Sequence, residues 1–260
     1  MLLEPILLLI ACSVVGGMAA LGLFTSVMNF PWIFALVCLF FGVLSLRKNS
    51  TVALVPRALL IVLGVAVAIA GWRVQMHSVQ QRLEQTQREV FAELGGKIAP
   101  PLTGLQPLNT EAAALQHAAS LSSRATIITF WARWCSPCWK ELPELDEFYR
   151  QHEANGLAVV AITGYDEPDD ASVRQEEFVK AQDFIRDRGL TFPGAITTDN
   201  AVFRSYQVRS LPSAALIDAQ GTLVAYGVGV DGGREVMRQA LSLLQDDRAA
   251  ASPGLAADGL

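Results

Sequence analysis

The chain has 260 residues, of which 52% are hydrophobic and 17% charged, and its mean hydropathy is +0.34. A soluble domain carries about 25% charged residues, so this composition argues against a wholly soluble protein. The formal net charge of −5 comes with no basic run, which argues against nucleic-acid binding.

The charge divides the chain. Residues 1–76 hold Arg47, Lys48, Arg57 and Arg73 against Glu4 alone, a balance of +3. The other 16 Lys and Arg and 24 Asp and Glu lie in residues 77–260, a balance of −8. No charge occurs between Glu4 and Arg47. A membrane-crossing helix needs ~20 apolar residues, so this run suffices for two. Asn29 and Pro31 break it, which predicts spans near 6–24 and 31–46. A third apolar run, ALLIVLGVAVAIAGW, lies between Arg57 and Arg73. Both arginines can snorkel at its ends, and it lacks the polar face of an interfacial helix. The reading extends it to a third span near 58–74 and makes residues 1–76 an all-α membrane region.

Arg47, Lys48 and Arg57 sit between the second and third spans, so that loop is expected on the cytoplasmic side. Three spans then put the C-terminal domain outside the cytoplasm, where disulfides persist. A cleaved signal peptide would need a basic start, and the only early charge is Glu4. Cys12 and Cys38 fall at similar depth in the first two spans. That permits a membrane dithiol relay, although free cysteine also serves as a small buried hydrophobe.

Residues 77–95 read as an amphipathic linker helix, with Val79, Leu83, Val90, Phe91 and Leu94 at roughly helical spacing and an i,i+4 pair at Glu84 and Arg88. Gly95, Gly96, Pro100 and Pro101 end it. A domain over 96–246 should follow. Ala125–Trp131 and Leu157–Thr163 are β-branched, nearly continuous apolar runs of the kind buried on both faces of a sheet. Ser136–Gln151 reads as a helix, as does a segment from Ser172 to Arg188 ended by Gly189. The sequence Asp218-Ala219-Gln220-Gly221 is a hairpin turn between strands near 214–217 and 222–226. A closing helix is expected over Arg234–Leu244, and residues 247–260 are expected to be a disordered tail. The order β-α-β-α-β-β-α is an α/β fold with a mixed central sheet flanked by helices.

The chemistry sits in FWARWCSPCWKELPEL, residues 130–145. Cys135 follows a buried strand and opens a helix. Unpaired N–H groups and the positive end of the helix dipole favour its thiolate there. Cys138, one turn on, can resolve a mixed disulfide. Pro137 in the first turn loses little, since its missing N–H would be unpaired. The bland readings are a zinc site and inert thiols. A structural zinc needs four ligands, and His77, His117 and His152 are not spaced as a pair. No metal and no cofactor is expected. Glu144 reads as a surface residue. The acidic segment Tyr165–Glu177 reads as the start of a solvated helix.

F-W-A-x-W-C-x-P-C resembles the thioredoxin superfamily. Its extension W-K-E-L-P-E-L resembles the membrane-anchored TlpA/ResA/CcmG branch of thiol–disulfide oxidoreductases, over about 96–246. The resemblance implies a thioredoxin-like fold, with Pro143 as the family's helix-kinking proline. Leu211-Pro212 matches the family's cis-proline loop, which faces the dithiol; together with Trp134 it is expected to contact substrate. Glu141 matches the glutamate that tunes the thiols in that branch. Three departures stand out. Thr129 occupies the place of the buried aspartate of thioredoxin proper, Trp139 that of a basic residue, and Leu211 that of a more common threonine.

What the resemblance implies is a multi-pass enzyme of the cell inner membrane whose dithiol faces the periplasmic side. It would reduce protein disulfides for cytochrome c maturation or metal-site assembly, and a membrane electron donor of DsbD/CcdA type would re-reduce it. Two other readings stay open. One is a dithiol oxidase or isomerase. The other is a thioredoxin-like metal-chaperone or adaptor module, although such chaperones resemble a C-x-x-x-C pattern. The P-x-x-x-T that precedes a peroxidatic cysteine does not occur before Cys135.

Overall fold

The computed structural model describes residues 54–121, 123–165 and 171–251. The spans expected near 6–24 and 31–46, with Cys12 and Cys38, lie outside the described residues, as do positions 166–170 of the acidic segment and the tail from 252. The chain divides into two units, Met1–Arg82 and Leu83–Leu260.

Helix α1 covers Leu54–Leu94, so the third expected span and the linker helix are one element. Among the described residues no helix is long and apolar enough to cross a membrane. The uncharged run between Arg57 and Arg73 falls short of the ~20 residues that a span requires. In the first unit, Val62, Val65, Ile69, Trp72 and Val74 are exposed. From Leu83 onward the helix belongs to the second unit. There Val90 is fully buried, and Leu83 and Leu94 pack against the core.

The second unit is built on a six-stranded sheet. Its strands are β1 (Leu105–Pro107), β2 (Ala125–Phe130), β3 (Leu157–Thr163), β4 (Gly194–Thr197), β5 (Ser213–Asp218) and β6 (Leu223–Val228), in the order β1-β4-β3-β2-β5-β6. β2 pairs parallel with β3 and antiparallel with β5, so the sheet is mixed as expected. The helices are α2 (Ala112–Ala119), α3 (Cys138–His152), α4 (Ala171–Asp187), α5 (Ala201–Ser205) and α6 (Gly229–Ala251).

Alternation along the central strands feeds two cores, because successive side chains leave opposite faces of a strand. Ile127 and Val159 join Leu142, Leu145, Phe184 and Leu216 on one face. Ile128 and Val160 join Leu115, Val202, Tyr206 and Ile217 on the other. Every residue of β2 and β3 is buried, as continuous apolar runs require.

Four elements are additions to the sequence reading: β1, β4, α2 and α5. The closing helix is also longer than expected. It begins at Gly229 and runs to Ala251, past the expected start of the tail at 247. Its buried face carries Val236, Ala240 and Leu244, and the helix includes the Gly232-Gly233 pair ahead of the expected start at Arg234.

Candidate active site

β2 ends at Phe130, and the chain turns into the Cys135 loop at the carboxyl end of the central parallel strands. In open α/β sheets this is where crevices form. The Trp131 N–H still donates to the Ile162 carbonyl (3.0 Å), which extends the ladder by one bond before the turn. Tight turns follow, with Cys135 N–H to Ala132 O and Cys138 N–H to Cys135 O, both at 3.0 Å.

Cys135 and Cys138 form a disulfide, with Cα atoms 5.3 Å apart. The helix begins two residues later than the sequence suggests: Pro137 is the N-cap, and Cys138 is the first residue of α3. Cys135 stands three residues ahead of the first helical residue. Its sulfur accepts the Cys138 backbone N–H at 3.2 Å. In general a donor beside a cysteine sulfur favours its thiolate form. Both cysteines are buried, Cys138 completely.

Glu141 lies one turn beyond Cys138 and is only 2% exposed. Its Oε1 accepts the Thr129 hydroxyl at 3.3 Å, and its Oε2 has no hydrogen-bond partner among the described residues. Burial pushes the carboxyl up to about 8, against the opposing pull of the Thr129 hydrogen bond; Glu144 adds to the rise and Arg234 resists it. The structure thus brings Glu141 and Thr129 together, two residues that the sequence reading had treated apart.

Glu144 is a surface residue, as expected, but a tied one. Arg234 on α6 donates Nε and Nη2 to its two oxygens at 2.8 and 2.7 Å. That bidentate contact holds the Glu144 carboxyl below the usual carboxylate range.

The Leu211–Pro212 peptide bond is cis. The register Phe130↔Ser213 sets this loop beside the end of β2, and the Gly229 N–H holds the Pro212 carbonyl at 2.8 Å. Leu211 packs against both cores. Trp134 and Trp139, which flank the two cysteines in the sequence, are exposed. The Trp139 Nε1–H donates to Arg133 O at 2.9 Å. The Arg188 guanidinium sits 5.5 Å from the Trp139 ring centre and 3.6 Å from that of Phe184, which stacks on Trp131 at 4.8 Å. Sequence reasoning missed Arg188. Its only signal was a position at the expected end of α4, where it had been read as a helix terminus.

Among the described residues no group of three His, Cys, Asp or Glu is placed to hold a metal. What the arrangement offers chemically is a cysteine pair able to open and close a disulfide, with a buried carboxyl one helical turn away.

Comparison with known proteins agrees with the motif. The thiol-disulfide oxidoreductase ResA of Bacillus anthracis is 31% identical over 109 residues, which cover 42% of this chain and 57% of the relative. The sporulation thiol-disulfide oxidoreductase A of Bacillus subtilis is 28% identical over 104 residues, 40% of this chain and 59% of the relative. The chain thus spans a little over half the length of these relatives. Among solved structures, StoA from Bacillus subtilis overlays with a TM-score of 0.38 at 21% identity, covering 54% of this chain and 98% of that one. A thiol:disulfide interchange protein from Bacteroides sp. gives a TM-score of 0.42 at 22% identity, covering 56% and 90%. The resemblance to the ResA branch is borne out by these names, and the mixed-sheet α/β fold is thioredoxin-like. The model of the AhpC/TSA family matches residues 96–226, from the end of α1 through β6, and the chain belongs to that family.

Proposed function

We propose that this chain is a membrane-anchored thiol–disulfide oxidoreductase that reduces protein disulfides outside the cytoplasm. The observation that carries the reading is the C-x-x-C at the start of α3, with the Cys138 N–H on the Cys135 sulfur and a buried carboxyl one turn away. In the reduced enzyme, the Cys135 thiolate attacks a substrate disulfide, forms a mixed disulfide and expels one substrate thiolate. Cys138, its proton taken up by the ionised form of the Glu141 carboxyl, then attacks the Cys135 sulfur. This closes the Cys135–Cys138 bond and releases the second thiolate. Two electrons pass to the substrate, and a membrane dithiol donor of DsbD/CcdA type returns them. Trp134, Leu211 and the Pro212 backbone receive the substrate strand.

The names of the relatives support the chemistry. The charge-free run before Arg47 and the exposed apolar side chains of α1 support a bilayer partner. Arg47, Lys48 and Arg57 support an orientation with residues 77–260 outside the cytoplasm. Cytochrome c maturation and metal-site assembly are the substrate settings this reading carries.

Cys138→Ala tests the reaction in cells. Without the resolving thiol, Cys135 should hold envelope proteins as mixed disulfides that are identifiable by mass spectrometry. Capture of nothing extracytoplasmic would remove the substrate claim. A reporter fused after residue 76 should be active only outside the cytoplasm, and a cytoplasmic signal would undo the localisation.

A further inference from the structure

Gly233 meets the one carboxyl that the site leaves half satisfied. A Cβ built there would lie 2.7 Å from Glu141 Cδ, 2.8 Å from Oε2 and 2.9 Å from Oε1, and these are its three nearest neighbours. Non-bonded carbons settle at about 3.5–4.0 Å, so no side chain fits at 233 while the carboxyl keeps its place. Nothing else in the local backbone asks for glycine. Gly233 is absent from the positive-φ residues and lies inside α6, where alanine is the better helix former.

Its neighbours set the approach. A Cβ on Gly227 would meet the Gly232 carbonyl oxygen at 2.2 Å, and one on Gly232 would meet Gly227 Cα at 3.0 Å. Bare backbone at both positions lets β6 and α6 close up, and the next residue, Gly233, falls against α3. Arg234 then fastens Glu144 on the same face of α3. The charged and titratable groups around the carboxyl are therefore Glu144 and Cys138 on its own helix and Arg234 on α6, with the Thr129 hydroxyl on β2.

We propose that Gly233 is a positioning residue, whose missing side chain forms the seat that keeps the Glu141 carboxyl buried beside Thr129 and one helical turn from Cys138. The inference rests on the reading of Glu141 as the proton acceptor for the dithiol.

The test is Gly233→Ala in the full-length chain, with the Glu141 carboxyl followed by carbon-13 NMR across pH and assigned against Glu141→Gln. The methyl should push the carboxyl toward water, and its titration midpoint should fall by about one pH unit or more. The pH profile of disulfide exchange should move with it. A folded Gly233→Ala variant with an unmoved midpoint overturns the seat. Should the midpoint move while the exchange profile stays, the seat stands and the proton-acceptor role of Glu141 fails.

A second comparison holds even if the single variant folds poorly. Gly233→Ala should lower Tm when Glu141 is present and raise it in a Glu141→Ala background, where only the helix preference remains. An equal loss of Tm in both backgrounds also overturns the proposal.

Discussion

Helix α3 buries two carboxylates, and their surroundings differ sharply. Asp146 accepts the Thr191 N–H (2.5 Å), the Thr191 hydroxyl (3.0 Å) and the Phe192 N–H (3.3 Å) on one oxygen, and pairs with Arg150 (3.2 Å) on the other. Glu141 receives one hydroxyl at 3.3 Å and leaves Oε2 without a partner among the described residues. Burying a charge is costly unless hydrogen bonds replace its water. Asp146 meets that condition and ties α3 to the loop before β4. Glu141 does not, so burial favours its neutral form and leaves a proton to trade beside the dithiol. Position on a helix and depth of burial do not by themselves separate a structural carboxylate from a chemical one; the count of donors does.

Four substitutions would break or sharpen this contrast. Cys135→Ala should have the largest effect, taking insulin reduction down to the uncatalysed rate while leaving both carboxylates in place. Residual catalysed exchange would detach the chemistry from this end of α3.

Asp146→Ala should cost about 1–3 kcal/mol in urea denaturation, because it strands the buried Phe192 N–H and removes the partner of the Thr191 N–H. The pH profile of exchange should not change. A profile that shifts would give Asp146 a role in the chemistry and erase the contrast.

Glu141→Gln should act the other way round. With a folded-state value raised to about 8 from 4.5, the native state holds a proton that the unfolded state has lost. Stability should therefore fall as pH rises from about 4.5 through about 8. The fall should amount to roughly 2–3 kcal/mol between about pH 5.5 and 7.5. Glutamine cannot titrate, so that slope should vanish in the variant, and the pH dependence of Cys138 reactivity should flatten near 8. An unchanged stability slope would mean that Glu141 is ionised throughout.

Arg234→Ala should have the smallest effect, about 0.2–1 kcal/mol, since the Glu144 pair is exposed. A loss several times larger in denaturant would mean that the clamp carries the α3–α6 contact.

The parts of the fold legible in the sequence were those written in a continuous local pattern. The unbroken apolar runs of β2 and β3, the Asp218–Gly221 turn and the Gly189 stop all fall within two residues of their expected places. Asp218 Oδ1 caps its own turn by accepting the Gln220 and Thr222 N–H groups, a purely local device. β1 and β4 were not legible, because three or four residues carry no period and the two strands define each other through pairing across some 90 positions.

The site divides the same way. Cys135, Cys138 and the Leu211–Pro212 loop lie in motifs that can be read directly. Arg188 over Trp139, Thr191 on Asp146 and Gly233 under Glu141 are contacts between distant segments, which only the packed sheet brings together. The Gly232-Gly233 pair did leave a trace. Two adjacent glycines at the start of an amphipathic helix oppose local helix preference, and the reason for them lies in Glu141 and β6.

The most direct measurement of the central claim is the reduction potential of the Cys135–Cys138 pair in the full-length chain, equilibrated against glutathione at pH 7. A protein-disulfide reductase of this kind should lie near the thioredoxin end of the scale, about −270 mV. A value near that of DsbA, about −120 mV, would make the dithiol an oxidant and contradict the reductase reading.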